Sequence, residues 1–252
     1  MGHTHPLPVT RRRFIQAASY SATALALRGQ NIIGANEQVG IGLIGCGGRG
    51  SGLAKQFAGL DKVRIVAVSD PDTTHMERLA KSLGKKQGGH KPTHFRDYRK
   101  LLESKDVDAV VIASPNHWHA LHTIHACQAG KDVYVEKPVC HDIWEGQQMV
   151  AAAKQHRRVV QAGTQNRSDV GLIKAFDYIH QGKLGKIKAV RGLCYRNRAS
   201  IGKVAKPLTP PATVDYNLWL GPARDLPMYR RQFHYDWHLS LIHISEPTRL
   251  GM

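Results

Sequence analysis

The stretch that most constrains this chain is Val39–Gly50, VGIGLIGCGGRG. A short apolar run breaks into Gly45-Cys46-Gly47-Gly48-Arg49-Gly50, and helical patterning follows over residues 51–60. Strand, glycine turn and helix in this order form the G-x-G-x-x-G unit of a parallel α/β sheet, and outside that setting the hexapeptide says little. Gly45 permits the tight turn, Gly47 lets the backbone approach a pyrophosphate, and Gly50 lets helix and strand pack closely. The helix then offers free N–H groups and a partial positive charge to phosphate. Asp70 lies 20 residues after Gly50, at the end of a second β-branched run, VRIVAV. A carboxylate there accepts hydrogen bonds from ribose hydroxyls and repels a 2′-phosphate, which favours NAD over NADP. Arg49 points the other way, because a guanidinium could neutralise that phosphate.

The alternation continues through residue 163. Helical patterns over 73–83, 97–103, 117–129 and 143–156 separate the apolar runs AVVIA (109–113), VYV (133–135) and VVQA (159–162). Strands alternating with helices of this length make a doubly wound, Rossmann-type parallel sheet, with ligands bound beyond the carboxyl ends of its strands. After residue 168 the pattern changes. Residues 170–179 are helical, 187–195 (IKAVRGLCY) alternate with period two as a strand, and 205–231 read as a proline-rich loop.

A formal charge of +17 raises nucleic acid as a partner. The excess is spread too thinly for that: residues 181–252 hold twelve basic and four acidic side chains, and no block of five like charges occurs. No nucleic-acid partner is expected. A hydrophobic content of 42% excludes wholesale disorder. Thr10-Arg11-Arg12-Arg13-Phe14-Ile15-Gln16 resembles the twin-arginine export signature, followed by an apolar stretch too short to span a bilayer. Residues 1–35 are therefore expected to be a signal and linker. The implied partner is the twin-arginine translocase, the location periplasmic or secreted, and no stable membrane anchor is expected.

Three further strand ends carry more information: Ser114-Pro115-Asn116-His117-Trp118-His119, Glu136-Lys137-Pro138 and Gly163-Thr164-Gln165-Asn166-Arg167-Ser168. Together with GCGGRG they resemble the Gfo/Idh/MocA oxidoreductases, in their secreted branch, over residues 39–238. The resemblance implies a NAD-dependent enzyme acting on a secondary hydroxyl of a sugar, cyclitol or glycoside. It implies that Lys137 handles the hydroxyl proton, that Glu136 positions Lys137 or the cofactor, and that Asn116, His117 and Gln165 line the cofactor. A lysine partly desolvated at a strand end suits proton transfer. Pro138 is expected to fix the turn. The resemblance also implies a second, mostly antiparallel substrate domain from residue 167, and a homo-oligomer when full length. Two rivals stand beside this reading: a glycosidase or lyase that uses NAD transiently, and a non-catalytic basic glycan-binding protein.

His117, His119, His122 and His125 invite a metal reading, but their spacing drifts around the helix and no carboxylate accompanies them. No metal is expected. The cysteines 46, 127, 140 and 194 fall in different elements, and Cys46 reads as a small residue filling the dinucleotide turn. From Leu239 the chain leaves the family pattern, reading LSLIHISEPTRLGM. The expectation is a non-native tail resembling a translated sequencing adapter, with the substrate domain interrupted at His238 and His243 no substitute for the family's second catalytic residue.

Overall fold

The computed structural model describes residues 38–193 and 202–234. The residues read as an export signal, Cys194 and Tyr195, and everything from Tyr235 onward, including the expected tail and His243, lie outside the described residues.

Six strands form one parallel sheet: β1 Val39–Ile44, β2 Val63–Ser69, β3 Thr93–Phe95, β4 Ala109–Ile112, β5 Asp132–Glu136 and β6 Val160–Gly163. Their spatial order is β3-β2-β1-β4-β5-β6, the doubly wound Rossmann arrangement. Both faces are apolar, which is why the strands read as nearly continuous hydrophobic runs. Ile41, Leu43, Ile65, Val68 and Val111 face α1 (Gly48–Phe57) and α2 (Thr73–Lys86). Ile44, Ala67, Val110, Ile112, Val133 and Val135 face α3 (Tyr98–Leu102), α4 (Asn116–Gln128) and α5 (Ile143–His156). The period-two alternation of a strand thus divides one sheet between two cores.

Two short features differ from the sequence reading. The three-residue edge strand β3, THF, lies in a polar loop that periodicity cannot flag. The strand expected at 187–195 is absent over residues 187–193. Ile187, Val190 and Leu193 are exposed there, and a period-two pattern without a partner strand has no ladder to join. Beyond the sheet, α6 (Val170–His180) buries no residue, and the expected loop contains a one-turn helix, α7 (Tyr216–Leu220). A small cluster of Val214, Trp219, Met228 and Phe233 closes residues 202–234 on themselves. Among the described residues, no helix is long and apolar enough to cross a membrane.

Candidate active site

Helix capping divides the helices into two groups. Asp72, Asp97, Asp142, Asp169 and Asp215 cap α2, α3, α5, α6 and α7, each carboxylate accepting a backbone N–H of the first turn. The helices α1 and α4 have no side-chain cap and no acidic residue in the first turn. They follow β1 and β4, the adjacent strands where the order of the sheet reverses. The two helix N-termini left available to an anion therefore flank the switch point.

The glycines between them divide by what their missing side chains would meet. Gly45 has φ +94, and a Cβ there would lie 2.6 Å from the Ser114 nitrogen. A Cβ on Gly50 would collide with the Gly45 carbonyl. These two hold the turn against its own backbone. Gly47 and Gly48 would meet nothing within 4 Å, so their bare backbone lines open space. That space belongs to a cavity of about 300 Å³ lined by Gly45, Gly47, Gly48, Asp70, Ser114 and Pro115. A cradle that a Cβ would fill, at two uncapped helix ends, fits a dinucleotide pyrophosphate.

Asp70 stands at the floor of this groove, buried. Its Oδ2 accepts from the Cys46 N–H at 2.6 Å and its Oδ1 from the Asp72 N–H at 2.9 Å. Burial pushes its carboxyl above the usual range, while the two N–H donors pull back. Each oxygen keeps a second lone pair for a ribose hydroxyl. Arg49 turns away from it. Its Nε and Nη2 donate to Glu136 Oε1 at 2.8 and 2.5 Å, at the end of β5. Three strand spacings, about 14 Å, separate β2 from β5. The guanidinium expected beside a 2′-phosphate is thus held as the partner of a buried carboxylate, and the counter-signal for NADP loses its basis.

Glu136 is buried and Oε2 also accepts from the Lys137 N–H at 3.2 Å. Lys137 itself is exposed, and its bond to Pro138 is cis. The described residues do not supply the desolvation expected for it. Gln165 is exposed in a 3₁₀ turn beyond β6, and Asn116 opens α4, half-buried. His117 stands beside Asn116, with Nε2 3.3 Å from the Trp219 carbonyl. Burial lowers its pKa to about 4, against the opposing pull of backbone carbonyls.

The other histidines of α4 hold the scaffold. His119 faces two carbonyl oxygens, Nδ1 to Pro138 at 2.6 Å and Nε2 to Ser114 at 2.8 Å. It ties the turn after β5, next to Lys137, to the end of β4. His122 Nδ1 lies 3.0 Å from Ser114 Oγ, and its ring stacks on Trp118. Burial drives His122 well below the ordinary imidazole range. Cys46 is fully buried, its thiol pushed up by burial, as a small space-filling residue requires.

Sequence reasoning underrated Trp219, His75 and His234, which complete the groove wall. Trp219 arrives on α7, whose carbonyl end accepts from Trp118 Nε1 at 3.0 Å. The aromatic spelling YNLWLGP was the available signal. That it folds back on the start of α4 depends on contacts 101 and 102 residues apart.

Residues 39–164, half of the chain, match the profile of the Gfo/Idh/MocA oxidoreductases, a family with a NAD-binding Rossmann fold. The chain belongs to this family. Among curated proteins, this Gfo/Idh/MocA chain is 34% identical over 172 residues to glycosyl hydrolase family 109 protein 2 of a Shewanella species, covering 59% of this chain and 38% of the relative. It is 30% identical over 158 residues to the alpha-N-acetylgalactosaminidase of Shewanella oneidensis, covering 60% and 34%. Among solved structures, it resembles scyllo-inositol dehydrogenase of Lactobacillus casei with bound NAD(H) and scyllo-inositol, at a TM-score of 0.54 and 28% identity, covering 59% and 43%. The chain spans about two-fifths of the length of the relatives it matches.

Proposed function

We propose that the Gfo/Idh/MocA chain belongs to an enzyme that oxidises a secondary hydroxyl of a sugar, cyclitol or glycoside. The observation that carries this is the open glycine cradle between two uncapped helix N-termini. NAD, when bound there, supplies the hydride acceptor. Gly47, Gly48 and the first N–H groups of α1 bind its pyrophosphate, and Asp70 receives its ribose hydroxyls. Lys137 takes the proton of the substrate hydroxyl at Nζ, and Glu136 orients that turn through Arg49 and the Lys137 N–H. His119 fixes the same turn through the Pro138 carbonyl. Lys137 becomes desolvated only when further chain covers it, such as a mostly antiparallel substrate domain extending from residue 167.

A second reading is a glycosidase that oxidises its substrate transiently, eliminates the glycosidic bond and returns the hydride. The likeness to family 109 hydrolases favours it. Fluorescence titration of the full chain with NAD tests the shared premise, and absence of binding would refute both. Incubation of the complete protein with NAD and cyclitols or aryl glycosides separates them. Accumulating NADH marks the dehydrogenase, and glycoside cleavage without net NADH marks the hydrolase. Salt-sensitive polysaccharide binding without NAD would favour a basic glycan-binding protein instead. The Arg11-Arg12-Arg13 signature adds to the proposal export through the twin-arginine translocase to the periplasm. Cell fractionation with and without an Arg11-Arg12 to Lys-Lys change tests it. Sedimentation of the complete protein tests the homo-oligomer.

A further inference from the structure

Three groups meet at the start of α2 to which the dinucleotide reading gives no role, although two of them, His75 and His234, line the same groove. Asp72 is the N-cap, and its Oδ1 accepts from the Thr74 N–H at 2.9 Å. Its Oδ2 turns outward to two imidazoles. His234 Nε2 lies 2.8 Å from it and His75 Nδ1 4.0 Å. His75 follows Asp72 by three residues and so shares its helix face. His234 comes from 162 residues further along, and its approach is held by backbone pairing. Thr73 N–H donates to the Thr213 carbonyl at 3.2 Å, Asp215 N–H donates to the Pro71 carbonyl at 3.0 Å, and Asp72 bridges Val214. The three ligand atoms all lie within 4.8 Å of one another.

We infer that Asp72, His75 and His234 form a binding site for a divalent transition cation of the zinc type. Zinc bonds of about 2.0–2.2 Å place the ligand atoms of a tetrahedron about 3.3–3.5 Å apart. The observed 2.8 and 4.0 Å from Asp72 Oδ2 bracket that spacing, so small side-chain rotations suffice. The donor set is one carboxylate and two imidazoles, which suits zinc and its neighbours rather than magnesium or calcium. The two imidazole rings pack at 4.2 Å between centroids.

Three protein ligands leave a fourth position for water, on the side of the groove that His75 and His234 already line. A cation there would link residues 202–234 to the carboxyl edge of the sheet. The inference stands whether or not the groove takes NAD.

Cobalt(II) titrated into the full chain provides the test, because tetrahedral cobalt absorbs in the visible. The expected result is one equivalent bound, displaced by zinc and not by magnesium. His75→Ala and His234→Ala should each weaken binding at least tenfold, and His90→Ala, at an exposed loop position, should leave it unchanged. His75 is partly exposed, so its replacement leaves the core intact, and circular dichroism checks the fold of each variant. Cobalt binding that survives unchanged in the double His75→Ala, His234→Ala variant overturns the proposal. So does a parent chain that binds no cobalt in excess of that variant.

Discussion

Two glycines of one hexapeptide should fail in opposite ways. At Gly50 a Cβ collides with the Gly45 carbonyl, a backbone atom that cannot rotate aside. Helix α1 must then lift from β1, at an overpacking cost of about 3 kcal/mol. For a chain of this size each kcal/mol lowers the melting temperature by about 2–4 °C, so Gly50→Ala should melt roughly 6–12 °C below the parent. Gly47 has φ −66 and ψ −167, which alanine adopts without strain, and its Cβ would meet no protein atom. Alanine is a poorer N-cap, so Gly47→Ala costs at most about 1 kcal/mol of stability. The same methyl occupies the cradle, and about 1–3 kcal/mol of steric conflict with a pyrophosphate weakens NAD by roughly 5- to 150-fold. Thermal melting by circular dichroism and NAD titration on both variants read the two effects separately. Gly47→Ala binding NAD as tightly as the parent, or Gly50→Ala melting at the parent's temperature, would refute the division of labour.

Other outcomes follow from buried charge and packing. The Arg49 side chain is 41% exposed and that of Glu136 only 5%, so Arg49→Ala strands a buried carboxylate while Glu136→Gln strands a guanidinium that water can reach. Urea unfolding should place the first about 3 kcal/mol below the parent and the second about 1 kcal/mol below it. His117 and His122 are held neutral in the fold, with pKa values below the unfolded imidazole value. Below about pH 6.5 the unfolded chain binds protons that the folded chain refuses, so stability falls with acidification, for His117 down to about pH 4. Melting temperatures across that window should decline, and His122→Gln should flatten the decline. Trp219→Ala removes a buried ring from the small cluster of residues 202–234, at about 3–5 kcal/mol locally. Limited proteolysis should then cut within 202–234 while the sheet persists.

The sheet was legible because it is buried on both faces. Runs such as VGIGLI, VRIVAV and AVVIA are continuous apolar stretches of strand length, and helical patterns of 10–15 residues alternate with them. β3 was not legible, since a three-residue edge strand takes its identity from β2 rather than from its own THF. Over residues 187–193 the expected strand is absent for the converse reason: alternation is a necessary pattern, and pairing needs a partner that the described residues do not provide.

The site followed the same divide. By itself the sequence determined the glycine turn and Asp70 at the next strand end, because both follow from chain-local geometry at the end of a parallel strand, and it marked the Glu136-Lys137-Pro138 turn through its family resemblance. The order in which those ends stand side by side, which helix ends lie bare, and the partner Arg49 chooses were decided by the tertiary structure alone. So was the meeting of His75 with His234. Sequence patterns report a residue's neighbours along the chain, whereas charge pairing, burial and metal-ligand geometry depend on neighbours through space.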